Sequence, residues 1–159
     1  MEENIAERLD QAIRSYLDKH QLKYKVDDDG DFHLVVGFSD LPVRVRLLLL
    51  KEGAKGEILS LVARYEGPYV FSEEEALRKA NQWNRERRWP RIYWRESYFY
   101  GDFHLDCEVG IPDQLVELTI HRFLMGALQF LLTLSGHEED HDMLANLLKQ
   151  ALKRSSLPN

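Results

Sequence analysis

Apolar side chains recur every three or four residues in four segments of the sequence, which is the spacing of one face of an α-helix. The predicted helices cover residues 5–17, 72–87, 112–134 and 140–153. Ser72 opens the second helix with Glu75 in the capping-box position, and Pro90 stops it. The third is apolar around much of its circumference, which predicts the central helix of the core. Glu117 and Arg122 within it argue against a membrane span.

Other segments have the composition and the period of β-strands. They cover residues 32–38, 43–50, 58–65, 92–94 and 102–109. In the last and most regular one, the predicted buried residues are Phe103, Leu105, Cys107 and Val109, and the predicted solvent-facing residues are Asp102, His104, Asp106 and Glu108. Short connections make the first three strands an antiparallel meander. The element order is α-βββ-α-ββ-α-α, an α+β fold with about five strands.

Composition indicates one globular domain. The chain has 159 residues, of which 44% are hydrophobic and 30% charged. We predict a single domain over residues 1–159, with 137–159 as a C-terminal helical extension. A single cysteine excludes an intrachain disulfide, and the acidic N-terminus lacks the layout of a signal peptide, so we expect a cytoplasmic protein. The net charge of −6 disfavours non-specific attraction to nucleic acid or membrane.

Two acidic motifs are compatible with metal binding. Residues 137–141, His-Glu-Glu-Asp-His, match the H-E-x-x-H pattern of zinc proteases, but they directly follow the helix stop at Gly136 and are typical of a solvated linker and helix cap. The run from Asp27 to Asp31 has its glycine in the wrong position for an EF-hand and favours a turn.

The polar row of the last predicted strand could bind a cation, or it could form a solvated face paired across the sheet with Arg44 and Arg46. Cys107 lies on the predicted apolar side of that strand, where a thiol is inert. No Ser, His and Asp arrangement follows from the sequence alone, and there is no glycine-rich phosphate loop. We therefore predict no catalytic, metal or cofactor-binding residues.

The segment from Arg78 to Glu96 is rich in arginine and aromatic residues. Its candidate partner-binding residues are Arg85, Arg87, Arg88, Trp89, Arg91, Trp94 and Arg95. Arginine and aromatic side chains together suit single-stranded nucleic acid or an anionic peptide. Alternatively, the aromatic residues pack in the core and the arginines pair with surface acids, which the acidic balance of the chain favours.

The second half of the chain contains a series of short motifs: Ala76-Leu-Arg-Lys-Ala80-Asn81-Gln-Trp-Asn84, Arg88-Trp-Pro90-Arg91-Ile-Tyr93, the strand 102–109, Gly110-Ile-Pro, and the long helix with Phe123. They form an Asn-x-x-Asn helix, an Arg-containing turn, two strands and a final long helix. In these motifs the chain resembles the bacterial YbjN family of sensory transduction regulators. The match covers roughly residues 72–134.

This resemblance implies a curved antiparallel sheet with helices packed against it, the fold of type III secretion chaperones. It further implies a non-enzymatic, chaperone-like or regulatory protein that binds an unidentified protein partner and can form a homodimer. Asn81 and Asn84 would hydrogen-bond backbone at the junction of helix and sheet. Single-stranded nucleic-acid binding through residues 78–96 is the alternative function.

Overall fold

The computed structural model describes residues 4–136, which form three helices and one six-stranded sheet. The helices are α1 (Ile5–Lys19), α2 (Glu73–Glu86) and α3 (Asp113–Leu134). The strands are β1 (Lys25–Val26), β2 (Phe32–Gly37), β3 (Arg44–Glu52), β4 (Ile58–Glu66), β5 (Arg91–Arg95) and β6 (Tyr98–Asp106). All pairings are antiparallel, and the strand order is β1-β2-β3-β4-β6-β5.

The first two helices begin where side chains satisfy free backbone amides. The Asn4 side chain accepts a hydrogen bond from the Glu7 amide, and the Ser72 hydroxyl accepts one from the Glu75 amide. Pro112, the residue before α3, makes no such side-chain cap. The serine cap predicted for α2 is thus present, and it fixes where the chain turns from the meander into this helix.

One face of the sheet is apolar except for Lys51 near the end of β3, and the helices α1 and α3 pack on it. Alternation places Leu34, Leu47, Ala63 and Gly101 side by side across four strands, and neighbouring rows on the same face are equally apolar. Tyr65, which is fully buried, donates its hydroxyl to the Ala127 carbonyl of α3 at 2.9 Å. The core therefore lies between this inner face and the two helices.

The long helix α3 is the centre of that core. In the described part of the chain it is also the one helix long and apolar enough to cross a membrane, a property that core helices share, and 56% of its most apolar window is buried. Phe130 meets the edges of Tyr65, Trp83 and Phe99, at ring-centroid distances of 5.1–5.3 Å. The predicted central role of this helix is confirmed by these contacts.

The predicted α+β fold with an antiparallel sheet is confirmed, and three details of the strands differ. A two-residue edge strand, β1, brings the number of strands to six. The last strand begins at Tyr98 instead of Asp102 and ends at Asp106, before Cys107. Val109, predicted to be buried, lies in the following turn and is 99% exposed, because the alternating pattern of side chains continues in the sequence past the end of the ladder. The predicted helix 140–153 and the extension 137–159 lie outside the described residues.

Gly126 allows the turn before β5 to approach α3. A Cβ atom at this position would lie 2.5 Å from the Trp89 carbonyl oxygen and 2.9 Å from Cδ of Pro90. Trp89 and Pro90 are joined by a cis peptide bond. A glycine in the middle of a helix is otherwise costly, so the close backbone approach is the physical reason for it.

Gly126→Ala is therefore expected to destabilise the fold by about 1–3 kcal/mol through overpacking. In an open helix the same change would stabilise by about 1 kcal/mol. Urea unfolding, monitored by circular dichroism, measures the sign of the change in the free energy of unfolding. The exposed Gln114→Ala of the same helix is the control. A more stable Gly126→Ala variant would contradict the described contact.

Candidate interaction surface

No helix among the described residues covers the second face of the sheet, here called the outer face. Five apolar residues on it are outside the core cluster: Val35, Leu48, Leu50, Ile58 and Val62. Leu48 and Val62 are direct cross-strand neighbours in the middle of the face. Around them lie arginine, tyrosine and carboxylate side chains. The outer face is thus a broad mixed surface, in contrast to the predominantly apolar inner face.

Four arginines gather at one end of this surface, where β3 begins and β4 and β5 end. The residues of this arginine end are Arg44, Arg46, Arg64 and Arg95, with Glu66, Tyr98 and Tyr100. A single oxygen, Oε1 of Glu66, accepts from Nε of Arg46 at 2.9 Å and from Nε of Arg64 at 3.0 Å. One carboxylate therefore serves two guanidinium groups, and these hydrogen bonds hold the pKa of Glu66 below its usual range although burial alone would raise it.

Aromatic rings lie beside these arginines on the outer face. Tyr93 and Tyr100 stack across β5 and β6 with centroids 5.4 Å apart and an interplanar angle of 13°. The Arg64 guanidinium lies 5.3 Å from the centroid of the Tyr98 ring. Tyr98 is 41% exposed. The arginine end therefore presents cations and flat aromatic surfaces together.

Asp102, predicted to face solvent, is almost fully buried in the middle of the outer face. Its carboxylate accepts two hydrogen bonds from Arg91, at 2.8 and 2.6 Å, and its side chain is only 9% exposed. Burial would raise the pKa of Asp102, but the hydrogen bonds from Arg91 and His104 outweigh it and lower the pKa. The prediction that this row pairs with Arg44 and Arg46 was wrong for Asp102, because β4 lies between β3 and β6 and β5 supplies the nearer arginine.

The fold brings a serine, a histidine and an aspartate together, which the sequence did not reveal. Nδ1 of His104 lies 2.8 Å from the Ser60 hydroxyl, and its Nε2 lies 3.3 Å from Asp102. Ser60 is completely buried, donates its hydroxyl to Glu52, and pairs on both sides within the sheet. A nucleophile needs access to substrate and free donors near the developing oxyanion. Ser60 is closed to a substrate in this arrangement, and its hydrogen bonds to Glu52 and His104 connect β3, β4 and β6.

The arginine and tryptophan residues singled out in the sequence are divided among different sides of the molecule. Arg85 lies in the last turn of α2, and Arg87 and Arg88 follow it in an exposed turn. Arg91 and Arg95 alternate onto the outer face of β5, whereas Trp94 lies on the inner face, 4.8 Å from the Phe99 ring.

Trp89 packs edge-on against Phe103, and the Arg122 guanidinium of α3 lies 5.5 Å from its ring. Both tryptophans of the candidate set are half-buried and contact other side chains of the fold. Of the seven, the two that join the outer face are Arg91 and Arg95.

Asn84 closes the free edge of β5. Its side-chain amide donates to the Ile92 carbonyl at 2.8 Å, and its carbonyl accepts from the Ile92 amide at 2.9 Å. Nε1 of Trp83 donates to the Pro90 carbonyl at 2.8 Å on the same strand edge. Asn81 is exposed, and its side chain makes no hydrogen bond within the described residues, so the predicted backbone contact is made by Asn84 alone. The carboxamide thus replaces a neighbouring strand, and it disfavours the addition of another chain at this edge.

The remaining candidate sites have structural explanations where they are described. The carboxylate oxygens of Asp27, Asp29 and Asp31 lie within 4.8 Å of one another. Asp27 is engaged by His33 at 2.7 Å and by the amides of Asp29 and Asp31, as in an acidic turn. Cys107 is buried, and burial raises the pKa of its thiol. The H-E-x-x-H match at 137–141 lies outside the described residues.

The sequence held a partial signal for the outer face. Alternation in β3 predicted that Arg44 and Arg46 face solvent, which they do. Arg64 comes from β4, the next strand in the chain, but Tyr98 comes from β6, which is distant in sequence, and only the register of β3, β4 and β6 brings them together.

Comparison with known proteins gives a family and a fold. Residues 10–150 match the YbjN family, described as "Putative bacterial sensory transduction regulator". The chain is similar to a solved chain from "Structure of the HopA1-SchA Chaperone-Effector Complex", at 15% identity and a TM-score of 0.52, covering 84% of this chain and 97% of that chain. The comparison with curated proteins found no match. The resemblances proposed from the sequence, to this family and to a secretion-chaperone fold, are thereby confirmed.

Asn84→Ala is expected to destabilise the protein by about 1–3 kcal/mol, because the Ile92 amide and carbonyl lose their partners. Asn81→Ala on the same helix is the matched control and should change the free energy of unfolding by less than about 0.5 kcal/mol. Urea unfolding measures both. Equal effects of the two substitutions would show that the Asn84 contacts contribute nothing.

Asp102→Asn is expected to cost about 1–3 kcal/mol at neutral pH, because the charged hydrogen bonds to Arg91 are weakened. A carboxylate with a lowered pKa stabilises the folded state above its unfolded pKa of about 4, and this contribution is lost as pH falls through the folded pKa. The difference from the wild type should therefore shrink below about pH 4. Unfolding curves across this range test it, with the exposed Asp28→Asn as control, and a difference independent of pH would contradict the ion pair.

Proposed function

Because the chain belongs to the YbjN family, we propose that it is a non-enzymatic protein-binding module with a chaperone-like role. The observation that carries this proposal is the outer face, a six-stranded surface that no described helix covers. Extended surfaces with mixed apolar and polar character suit polypeptide partners, which offer both backbone and side-chain groups. The partner would be a protein that the sequence does not identify.

The fold similarity supports a polypeptide partner. The similar solved chain comes from a complex of a chaperone with an effector. By analogy, this chain would hold another protein and would not modify it. A homodimer and a cytoplasmic location are further predictions of the same proposal.

The chemistry of the described residues favours binding over catalysis. Ser60 is buried, Cys107 is a buried thiol with a raised pKa, and Asp102 is engaged by Arg91. A catalytic site needs at least one such group poised toward a substrate. Among the described residues, the exposed titratable groups of the outer face are better suited to recognition.

A photo-crosslinking amino acid placed at Tyr98, on the outer face, is expected to trap a protein partner in living cells. The same amino acid at Gln11, exposed on α1, is the matched control. Adducts are identified by mass spectrometry with and without nuclease. The proposal predicts nuclease-resistant protein adducts from position 98 that are weak or absent from position 11. Nuclease-sensitive adducts would favour nucleic-acid binding, and equal trapping from both positions would contradict the outer face as the binding surface.

A further inference from the structure

We propose that the arginine end of the outer face binds an extended acidic polypeptide segment with carboxylates at alternate positions. This inference rests on the proposed protein-binding function and adds the chemistry of the partner. It concerns Arg44, Arg46, Arg64 and Arg95, with Tyr98 and Tyr100 beside them.

Positive charge is in excess at the arginine end. Arg46 and Arg64 share one carboxylate, Glu66, so their two charges meet one negative charge. Arg44 is exposed and makes no ion pair among the described residues, and Arg95 has only its chain neighbour Glu96, at 3.8 Å. The whole chain carries a net charge of −6. Against this negative total, the local excess of positive charge would attract an acidic partner to this end.

The spacing of the arginines along β3 matches the spacing of alternate side chains in an extended peptide. Arg44 and Arg46 are alternate residues of β3 and project from the same face, so their Cα atoms are separated by about 7 Å. Alternate side chains of an extended peptide have the same separation of about 7 Å. Carboxylates at every second position of a partner would thus meet successive arginines. Arg64, the register partner of Arg46 on β4, widens the row by one strand.

Aromatic residues lie beside these arginines, and acidic residues lie at the opposite end of the outer face. Tyr98 is 41% exposed, the Arg64 guanidinium lies over its ring, and Arg95 is its register partner on β5. Tyrosine provides flat apolar area and a hydroxyl, both of which suit a peptide. Glu52 and Asp106 stand at the opposite end of the same face, where they would repel a long polyanion such as nucleic acid. A short acidic segment of a protein fits this distribution better.

The test uses fluorescence anisotropy with the full chain and a labelled peptide of alternating Glu and Thr. The comparison peptides carry Gln in place of Glu, or the same Glu residues in one block. The variant Arg44→Gln plus Arg95→Gln removes two charges from the arginine end. The matched control, Arg85→Gln plus Arg88→Gln, removes two exposed charges near the end of α2. A labelled oligothymidine is the competing ligand.

The alternating Glu peptide is expected to bind more tightly than both comparison peptides and to weaken as salt is raised. Its Kd should increase about three- to tenfold in the Arg44/Arg95 variant and change less than about twofold in the control. Equal binding of the Gln or block peptide, an equal loss in the control variant, or preferential binding of oligothymidine would each overturn the inference. Protein crosslinks from position 98 without acidic-peptide preference would leave the proposed function standing and refute this partner chemistry.

Discussion

One-sided burial of the sheet is the constraint on which the rest of the structure depends. Side chains alternate strictly between the two faces of a strand, so the register of β2, β3, β4 and β6 assigns every residue to one of two surfaces. The inner surface is apolar except for Lys51, which pairs with Asp10 of α1, and α1 and α3 bury it. A shift of one residue in any of these strands would expose its apolar set and bury its charges. The outer surface does not contribute to the core, so its side chains need not be apolar and are available for recognition.

The connection between α2, α3 and β5 decides which part of the sheet is open to a partner. Because Gly126 has no side chain, the Trp89–Pro90 turn can pack closely against α3. Asn84 forms hydrogen bonds with the backbone amide and carbonyl of Ile92. The same junction that fixes β5 therefore closes its edge. Under the proposed function, a partner would therefore bind on the outer face and would not add a strand beside Ile92. The Arg91–Asp102 pair ties β5 to β6 on that face, next to the arginine end.

Local patterns in the sequence predicted the helices, most strand positions and the order of elements, because each depends on the period of apolar residues within one segment. The family resemblance further predicted that the strands form one antiparallel sheet with helices packed against it. Patterns within one segment could not assign Asp102, because its burial depends on Arg91 in a neighbouring strand. Val109 continued the alternation in sequence beyond the last pairing at Asp106. The Ser60, His104 and Asp102 arrangement and the arginine end both require residues from strands distant in sequence.

The central claim is that the outer face is the protein-binding surface. NMR spectra of the labelled chain, with and without a protein partner captured from cells, test it most directly. The account predicts that perturbed resonances cluster on Arg44, Arg64, Tyr98 and their neighbours on β3, β4 and β6. Perturbations centred instead on exposed α3 residues such as Leu115 and Leu118, with the outer face unchanged, would contradict it.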